Sequence, residues 1–374
     1  MSTNGASLTI ETAMPPITNR LLFIDALKAL ASQLIVLHHL AFYGPMSDQA
    51  YPLAPTLISW LSQDARMAVQ AFLVIAGFLA VRSLAPTGTL LASRPLLLVR
   101  KRYLKLVTPY LAAVLMAIVC AAIARQLMMH DSIPDWPTLS QVAAHALLLQ
   151  SVLGYEGLSA GVWYVAIDFQ LFTLLVGLLW LARGIIRDTG AKAPVFSALL
   201  VVVLASASLY YFNRDGEWDI WGVYFFAAYA LGIGTYWATN REHAYVWLLP
   251  MFAMVVGGLL LDYRPRIAVA MVVALLLAAA RRCGFLESWP KSRLIAYLGR
   301  ISYSVFLIHF PICLVISCTF ARFASDDPWA NLTGMGVAWL ASIAGGALFY
   351  RFVESPAQRG LLQARVTTGL RPTP

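Results

Sequence analysis

The chain has 374 residues, of which 60% are hydrophobic and 12% are charged. Its mean hydropathy of +0.72 excludes an ordinary soluble protein, because so few polar side chains cannot cover the surface of a folded chain of this length. The formal net charge is +9, yet the basic residues are spread over the connections between apolar segments. No compact polar domain carries them, so a nucleic-acid partner is excluded as well.

Uncharged runs such as 106–124, 195–212 and 332–350 approach the roughly 20 residues that a helix needs to cross a bilayer. The alternation of the ~10-residue strands of a membrane barrel is absent from them. The sequence therefore predicts an all-α, polytopic membrane helix bundle with about ten transmembrane helices. In chain order we expect these spans at 22–43, 66–84, 103–125, 162–183, 195–212, 220–238, 245–261, 267–281, 301–320 and 332–352.

The predicted organisation is one membrane domain, 21–355, between short cytoplasmic tails, 1–20 and 356–374. The first tail is polar and lacks the basic-then-apolar order of a secretory signal. The longest polar connection, 126–161, contains the apolar piece 142–153, which is too short to span and is expected to lie at the outer interface. The four cysteines show no metal or redox spacing, and we expect free, mostly buried thiols.

The basic residues predict the orientation. An even number of spans places both termini on one side, and twenty of the 27 Lys and Arg residues fall on that side. Six fall on the other side, and Lys28 lies within a span. The positive-inside rule therefore predicts cytoplasmic termini. We expect a multi-pass protein of the cell inner membrane.

Ionisable residues inside the spans are the best candidates for function, because charges are costly in a bilayer and face the bundle interior or a pathway. In the first span, Asp25, Lys28 and His39 share one helix face, whereas His38 lies about 80° from Lys28 around the axis. Lys28 and His39 are about 16 Å apart along the axis. This face therefore connects the two sides of the membrane.

The fourth span contains Asp168 at a depth that we expect to be near that of His39. A carboxylate that orients a histidine is the usual arrangement of a general base. The alternative for Asp168 and for His309 is a simple hydrogen bond to a neighbouring helix. The basic cluster 100–105 is likewise either a cytoplasmic anchor of the third span or a cradle for the phosphate groups of a cytosolic ligand.

Five segments, in order, resemble the motifs of the acyltransferase family 3 membrane proteins, which move acyl groups from cytosolic acyl-CoA onto sugars and other exported molecules. They are 25–28 with His39 eleven residues after Lys28, then 72–78, 163–168, 301–311 and 352–356. Three positions depart from the family pattern: Lys28 replaces Arg, Asp168 replaces Glu, and Ala76 replaces Ser. The change at position 28 keeps the positive charge but loses the planar guanidinium.

The resemblance implies transfer of an acyl group, with acetyl expected, from cytosolic acyl-CoA to a hydroxyl of an exported or surface carbohydrate. The hydroxyl would attack directly or by way of an acyl-enzyme. Acyl-CoA is then a donor substrate, and no bound cofactor and no metal are expected. The partners are the carbohydrate acceptor and the lipid bilayer. The alternative class is a transporter that uses the same charges as a relay.

The candidate site residues fall into three groups. His39 and Asp168 are the catalytic candidates. The donor-binding candidates are Asp25, Lys28, Arg100, Arg102 and Lys105, and those with a structural or functional role are His38, His309 and Glu354.

Overall fold

The structure is a computed structural model that describes residues 20–92, 94–186, 192–324 and 326–360. Within these ranges the chain is helical with no strand, so the predicted all-α polytopic bundle is confirmed. The long helices are α1 (Leu22–Phe42), α2 (Val69–Leu84), α3 (Pro95–Leu127), α4 (Val162–Ile185), α5 (Lys192–Tyr210), α6 (Gly222–Thr239), α7 (Ala244–Leu261), α8 (Pro265–Arg282), α9 (Arg293–Phe323) and α10 (Pro328–Phe349). Short helices in the connections are Met46–Ala50, Pro55–Gln63, Leu139–Ala146 and Phe285–Ser288.

Eight helical segments in the described ranges are long and apolar enough to cross a membrane, and they contain α1 to α5, α7, α9 and α10. The other two predicted spans, 220–238 and 267–281, are α6 and α8. Helix α8 carries arginines at both ends, and α6 is rich in Tyr, Gly and Thr. All residues of α6 are buried except Val223, Gly234 and Trp237, so neighbouring helices surround it.

Close helix approaches at glycine fix the bundle. Gly232 of α6 lies against the backbone of Val74 in α2, and Gly299 of α9 lies against the backbone of Asp25 in α1. A methyl group at either position would overlap those backbone atoms. Small residues at such crossings allow helices to pack closely in a membrane. The contact at Gly299 brings α1 and α9 together along the faces that carry their histidines. We call the end of the bundle where α1 begins the N-terminal face and the other end the opposite face.

Helix α3 begins earlier than expected, at Pro95 instead of 103. Proline suits the first turn of a helix, and the chain from there to Pro109 contains no glycine or proline. The cluster 100–105 is therefore part of the helix and is not a loop in front of it. Its side chains consequently point in different directions around α3.

The connection between α3 and α4 does not remain outside the bundle. Leu148, Gln150 and Leu158 in this connection are buried. The Tyr103 hydroxyl of α3 donates a hydrogen bond to the Ala146 carbonyl oxygen at 2.6 Å. The piece 142–153 therefore packs one side against the bundle, while Leu147 and Leu153 are exposed, and its place at the outer interface stays a prediction.

Helix α4 consequently begins inside the bundle. Its N-cap residue Gly161 has φ +79° and lies against the ring of Phe306, where a Cβ atom would be 2.8 Å from Cζ. Phe306 is thirteen residues from the start of α9, or about 20 Å along its axis. All side chains of α4 are therefore displaced toward the N-terminal face relative to a helix that starts at the opposite face of the bundle.

Candidate active site

A cavity of about 550 Å³ opens at the N-terminal face between α1, α2, α3, α4, α9 and α10. Cationic groups line its mouth and middle, and aromatic rings close its inner end. Its charged lining residues are Arg20, Asp25, Lys28, Arg102, Lys105, Asp168, Arg300 and Glu354. Five positive and three negative groups give it a positive balance, which favours an anionic ligand.

Arg102 and Asp168 form an ion pair in the middle of this cavity. Nη2 of Arg102 donates to Oδ2 of Asp168 at 2.5 Å, and the guanidinium carbon lies 5.3 Å from the ring centre of Phe172. The Asp168 side chain is almost completely buried. Nε of Arg102 is buried and has no hydrogen-bond partner among the described residues. The ion pair therefore holds the guanidinium in place with donor capacity left for a ligand.

At the mouth, Asp25 binds two cations of the N-terminal face. Oδ2 of Asp25 lies 2.6 Å from Nε of Arg20, and Oδ1 lies 3.7 Å from Nζ of Lys28. Arg20 also donates to the Ala296 carbonyl oxygen at the start of α9. Asp25 therefore orients the basic groups at the entrance.

Glu354 reaches the cavity because the regular turn of α10 changes to a π-helix over Tyr350–Glu354. The wider π turn changes which side chains face the interior, and such turns frequently occur at functional sites. The buried carboxylate accepts a hydrogen bond from the Ser304 hydroxyl at 2.5 Å and one from Nε2 of Gln358 at 2.9 Å. These two donors fix Glu354 in the wall.

His39 lies beyond the inner end of the cavity, paired with His309. Nδ1 of His39 is 2.6 Å from Nε2 of His309. Nδ1 of His309 donates to the Phe306 carbonyl oxygen at 2.8 Å, so in the neutral ring Nε2 is an acceptor. His39 must then carry its proton on Nδ1 and donate it to His309. The remaining nitrogen, Nε2 of His39, is thereby left with a free lone pair, as a general base requires.

The expected pairing of His39 with Asp168 is wrong. The carboxylate of Asp168 binds Arg102, and His39 binds His309. The reason is the depth at which α4 begins, because its start inside the bundle moves Asp168 toward the N-terminal face. His309 thus occupies the orienting position that the sequence assigned to a carboxylate.

Two other candidates lie outside the cavity. His38 is buried, and its Nδ1 donates to the Leu61 carbonyl oxygen at 3.0 Å, so it takes no part in the hydrogen bond between His39 and His309. Arg100 is exposed and does not line the cavity, whereas Arg102 and Lys105 do. Positions 100 and 102 differ by about 200° around a helix, but positions 102 and 105 differ by only about 60°. The basic cluster therefore divides into Arg102 and Lys105, which face the cavity, and Arg100, which faces away from it.

Phe306 separates the cavity from the histidine pair. Its ring centre is 5.5 Å from that of Tyr164 and 6.3 Å from that of Phe72, and all three rings line the inner end of the cavity. The same ring is 6.2 Å from the ring of His309. A narrow cleft on the other side is lined by His39, Tyr43, Ser132 and Phe310. The sequence did not single out Phe306, because an aromatic residue in an apolar helix carries no signal of its own.

No group of three or more potential metal-binding side chains occurs among the described residues. All four cysteines are free.

These features define the class of protein: a polytopic helical membrane protein whose ionisable side chains converge on an internal cavity. A family model described as an acyltransferase domain matches residues 21–351. The chain therefore belongs to acyltransferase family 3 and is a membrane acyltransferase. Searches of the curated proteins and of the solved structures found no match.

Proposed function

We propose that this chain transfers an acyl group, with acetyl expected, from cytosolic acyl-CoA to a hydroxyl of an exported or surface carbohydrate. One observation carries the proposal. A cationic cavity opens at one face and a histidine pair lies beyond its inner end, with the ring of Phe306 between them. Such an arrangement suits two substrates that arrive from opposite sides of a membrane.

The donor side is the cavity. Its volume of about 550 Å³ falls within the roughly 300–1,000 Å³ of small-molecule sites. Arg20, Lys28 and Arg300 at the mouth would bind the phosphates of CoA, and the thioester would extend past the Arg102–Asp168 pair toward Phe306. The twenty basic residues on the side of the termini support a cavity mouth that faces the cytoplasm. The membrane in this proposal is the cell inner membrane.

The chemical step would occur at Nε2 of His39. This nitrogen accepts the proton of the acceptor hydroxyl while the hydroxyl oxygen attacks the thioester carbon. Collapse of the tetrahedral intermediate breaks the C–S bond, and the departing CoA sulfur takes the proton from the imidazolium. His309 holds the imidazole in the required tautomer through the chain of hydrogen bonds that ends at the Phe306 carbonyl. A rotation of the Phe306 ring would connect the thioester with His39.

The test is release of CoA and formation of an ester by purified protein in proteoliposomes, supplied with isotope-labelled acetyl-CoA and a panel of glycans. Mass analysis of surface polysaccharide from a deletion strain would identify the acceptor. Loss of one O-acyl group with the polymer intact is the expected result. Loss of the whole polymer, together with no release of CoA in vitro, would indicate a transporter and contradict the proposal.

A further inference from the structure

A second cavity, of about 330 Å³, lies between α5, α6 and α7 and shares no lining residue with the candidate active site. Its walls are almost entirely apolar, and small side chains create its space. Among them are Ala198 and Ala205 of α5 and Ala227 and Ala230 of α6. The proposed reaction makes no use of this cavity.

The shape of the second cavity fits a lipid chain. On α5 its lining extends from Pro194 to Leu209, which is about 22 Å along the helix axis. One leaflet of a bilayer contributes about half of a hydrocarbon core of roughly 30 Å. The cavity also opens sideways, because the lining residues Val202 and Trp247 are about half exposed. A chain entering from the surrounding bilayer would therefore lie parallel to the helices.

The end of this cavity at the N-terminal face is cationic. The guanidinium of Arg241 lies over the ring of Trp247, with 4.9 Å between the guanidinium carbon and the ring centre. In the described part of the chain Arg241 makes no ion pair, although the exposed Glu242 follows it directly. Arg282 donates to the Arg241 carbonyl oxygen, which adds a second cation nearby. The cationic end of the cavity thus lies where a lipid headgroup would be, and the apolar space lies where its acyl chain would be.

We propose that this cavity binds an anionic glycerophospholipid from the leaflet at the N-terminal face. One acyl chain fills the space between α5, α6 and α7, and Arg241 binds the phosphate, whose negative charge no cation of an anionic headgroup neutralises. Basic sites between transmembrane helices recognise anionic headgroups in this way. Helix α7 buries only Ala244, Val255 and Gly258 within the protein, so a bound chain would supply much of the packing that holds α7 to its neighbours.

Native mass spectrometry of the delipidated full chain tests the proposal, with phosphatidylglycerol or phosphatidylcholine of identical acyl chains added separately. We expect the chain to retain phosphatidylglycerol with an affinity about fivefold higher than its affinity for phosphatidylcholine. One basic residue near the membrane surface supplies a preference of this size. Arg241→Gln should reduce binding of phosphatidylglycerol to the level of phosphatidylcholine. Ala198→Phe, which fills the cavity, should weaken binding of both lipids. The matched controls are Arg293→Gln, an exposed arginine of the same face, and Ala279→Phe on the exposed side of α8.

Equal retention of both lipids by the unaltered chain would overturn the proposal and indicate bulk lipid without headgroup recognition. A preference for phosphatidylglycerol that survives Arg241→Gln would also overturn it. A dimer that disappears with Ala198→Phe would show that the cavity holds a second copy of the chain. If Ala198→Phe fails to fold, Ala198→Leu replaces it, and the Arg241→Gln comparison still decides the outcome.

Discussion

Nδ1 of His39 lies 2.6 Å from Nε2 of His309, and the two ring planes are only 7° apart. The ring centres are 4.9 Å apart, so the rings lie edge to edge and the hydrogen bond runs close to the plane of both. This geometry suits donation into an sp² lone pair. It makes His309 the residue that determines the orientation and tautomer of His39.

Replacement of His39 tests the proposed base. His39→Ala should lower kcat by about 10²–10⁴-fold, the usual contribution of a general base, without loss of membrane insertion. His38→Ala is the control. The His38 ring centre is also only 4.9 Å from that of His39, but its Nδ1 donates to the Leu61 carbonyl oxygen and not to the pair, so we expect a far smaller effect. Near-normal turnover in His39→Ala would show that another group takes the proton.

His309 is a positioning residue that orients the imidazole of His39. His309→Phe keeps an aromatic ring but removes the acceptor for the Nδ1 proton of His39, so kcat should fall and the acid limb of the pH–rate profile should move. His309→Gln keeps an acceptor and should restore part of the rate. Loss of activity with an unchanged pH profile in both variants would indicate a structural role only.

The division of the basic cluster predicts different effects for two neighbouring arginines. Arg102→Gln should raise the KM for acyl-CoA about tenfold to a hundredfold, since a hydrogen bond to a charged group contributes roughly 1.5–3 kcal/mol. Arg100→Gln is the matched control and should leave the KM unchanged, because this side chain is outside the cavity. Equal effects of both changes would mean that the cluster acts through its overall charge.

Asp168→Asn should affect donor binding through Arg102 and should not affect the proton transfer at His39. Loss of the carboxylate removes the ion pair at 2.5 Å and frees the guanidinium, so donor affinity should change while the pH dependence of kcat remains. Steady-state kinetics over a range of pH separates the two roles. A shifted pH profile in Asp168→Asn would contradict this assignment and show that Asp168 acts on the protonation of His39.

Phe306 should limit the length of the transferred acyl chain. Phe306→Leu opens the inner end of the cavity, and the preference for longer acyl-CoA should rise roughly fourfold per methylene accommodated, from about 0.8 kcal/mol of burial each. Phe310→Leu is the control, because that ring packs on Tyr43 outside the cavity. A series from acetyl-CoA to hexanoyl-CoA measures the effect. An unchanged profile would remove Phe306 from the specificity determinants.

His145 should make the connection between α3 and α4 sensitive to acid. Nδ1 of His145 donates to the Gln141 carbonyl oxygen, and Nε2 accepts from the Leu158 amide. Burial lowers the pKa of His145 from its ordinary value of 6.5. Because the unfolded segment binds a proton more readily, the stabilisation is complete above about pH 6.5 and is lost as the pH falls toward the folded pKa. After correction for the intrinsic exchange rate, the protection of residues 139–161 should therefore decrease as the pH is lowered from 7.5 to 5.5.

His145→Ala is the control for this pH effect. The variant should exchange faster at both values of pH, with no histidine-dependent difference between them after correction for intrinsic exchange. Protection of 139–161 that stays constant with pH in the unaltered chain would contradict the assignment of His145 as a neutral, buried acceptor.

Much of this architecture follows from local sequence. Apolar runs with few charges dictate helices, since a bilayer offers no partner for an open backbone. The helical period placed Asp25 and Lys28 on one face, and Nζ of Lys28 lies 3.7 Å from Oδ1 of Asp25. It also placed His39 near the end of the first span. These properties need only the residues of one helix.

The tertiary structure alone decided which groups meet between helices. A pairing between helices depends on the depth at which each helix begins, and for α4 the burial of Leu148 and Leu158 in the preceding connection determines that depth. Asp168 is therefore bound to Arg102, and His39 to His309. The position of Phe306 between them depends on close packing with Gly161, a contact between residues 145 positions apart that no helical period encodes.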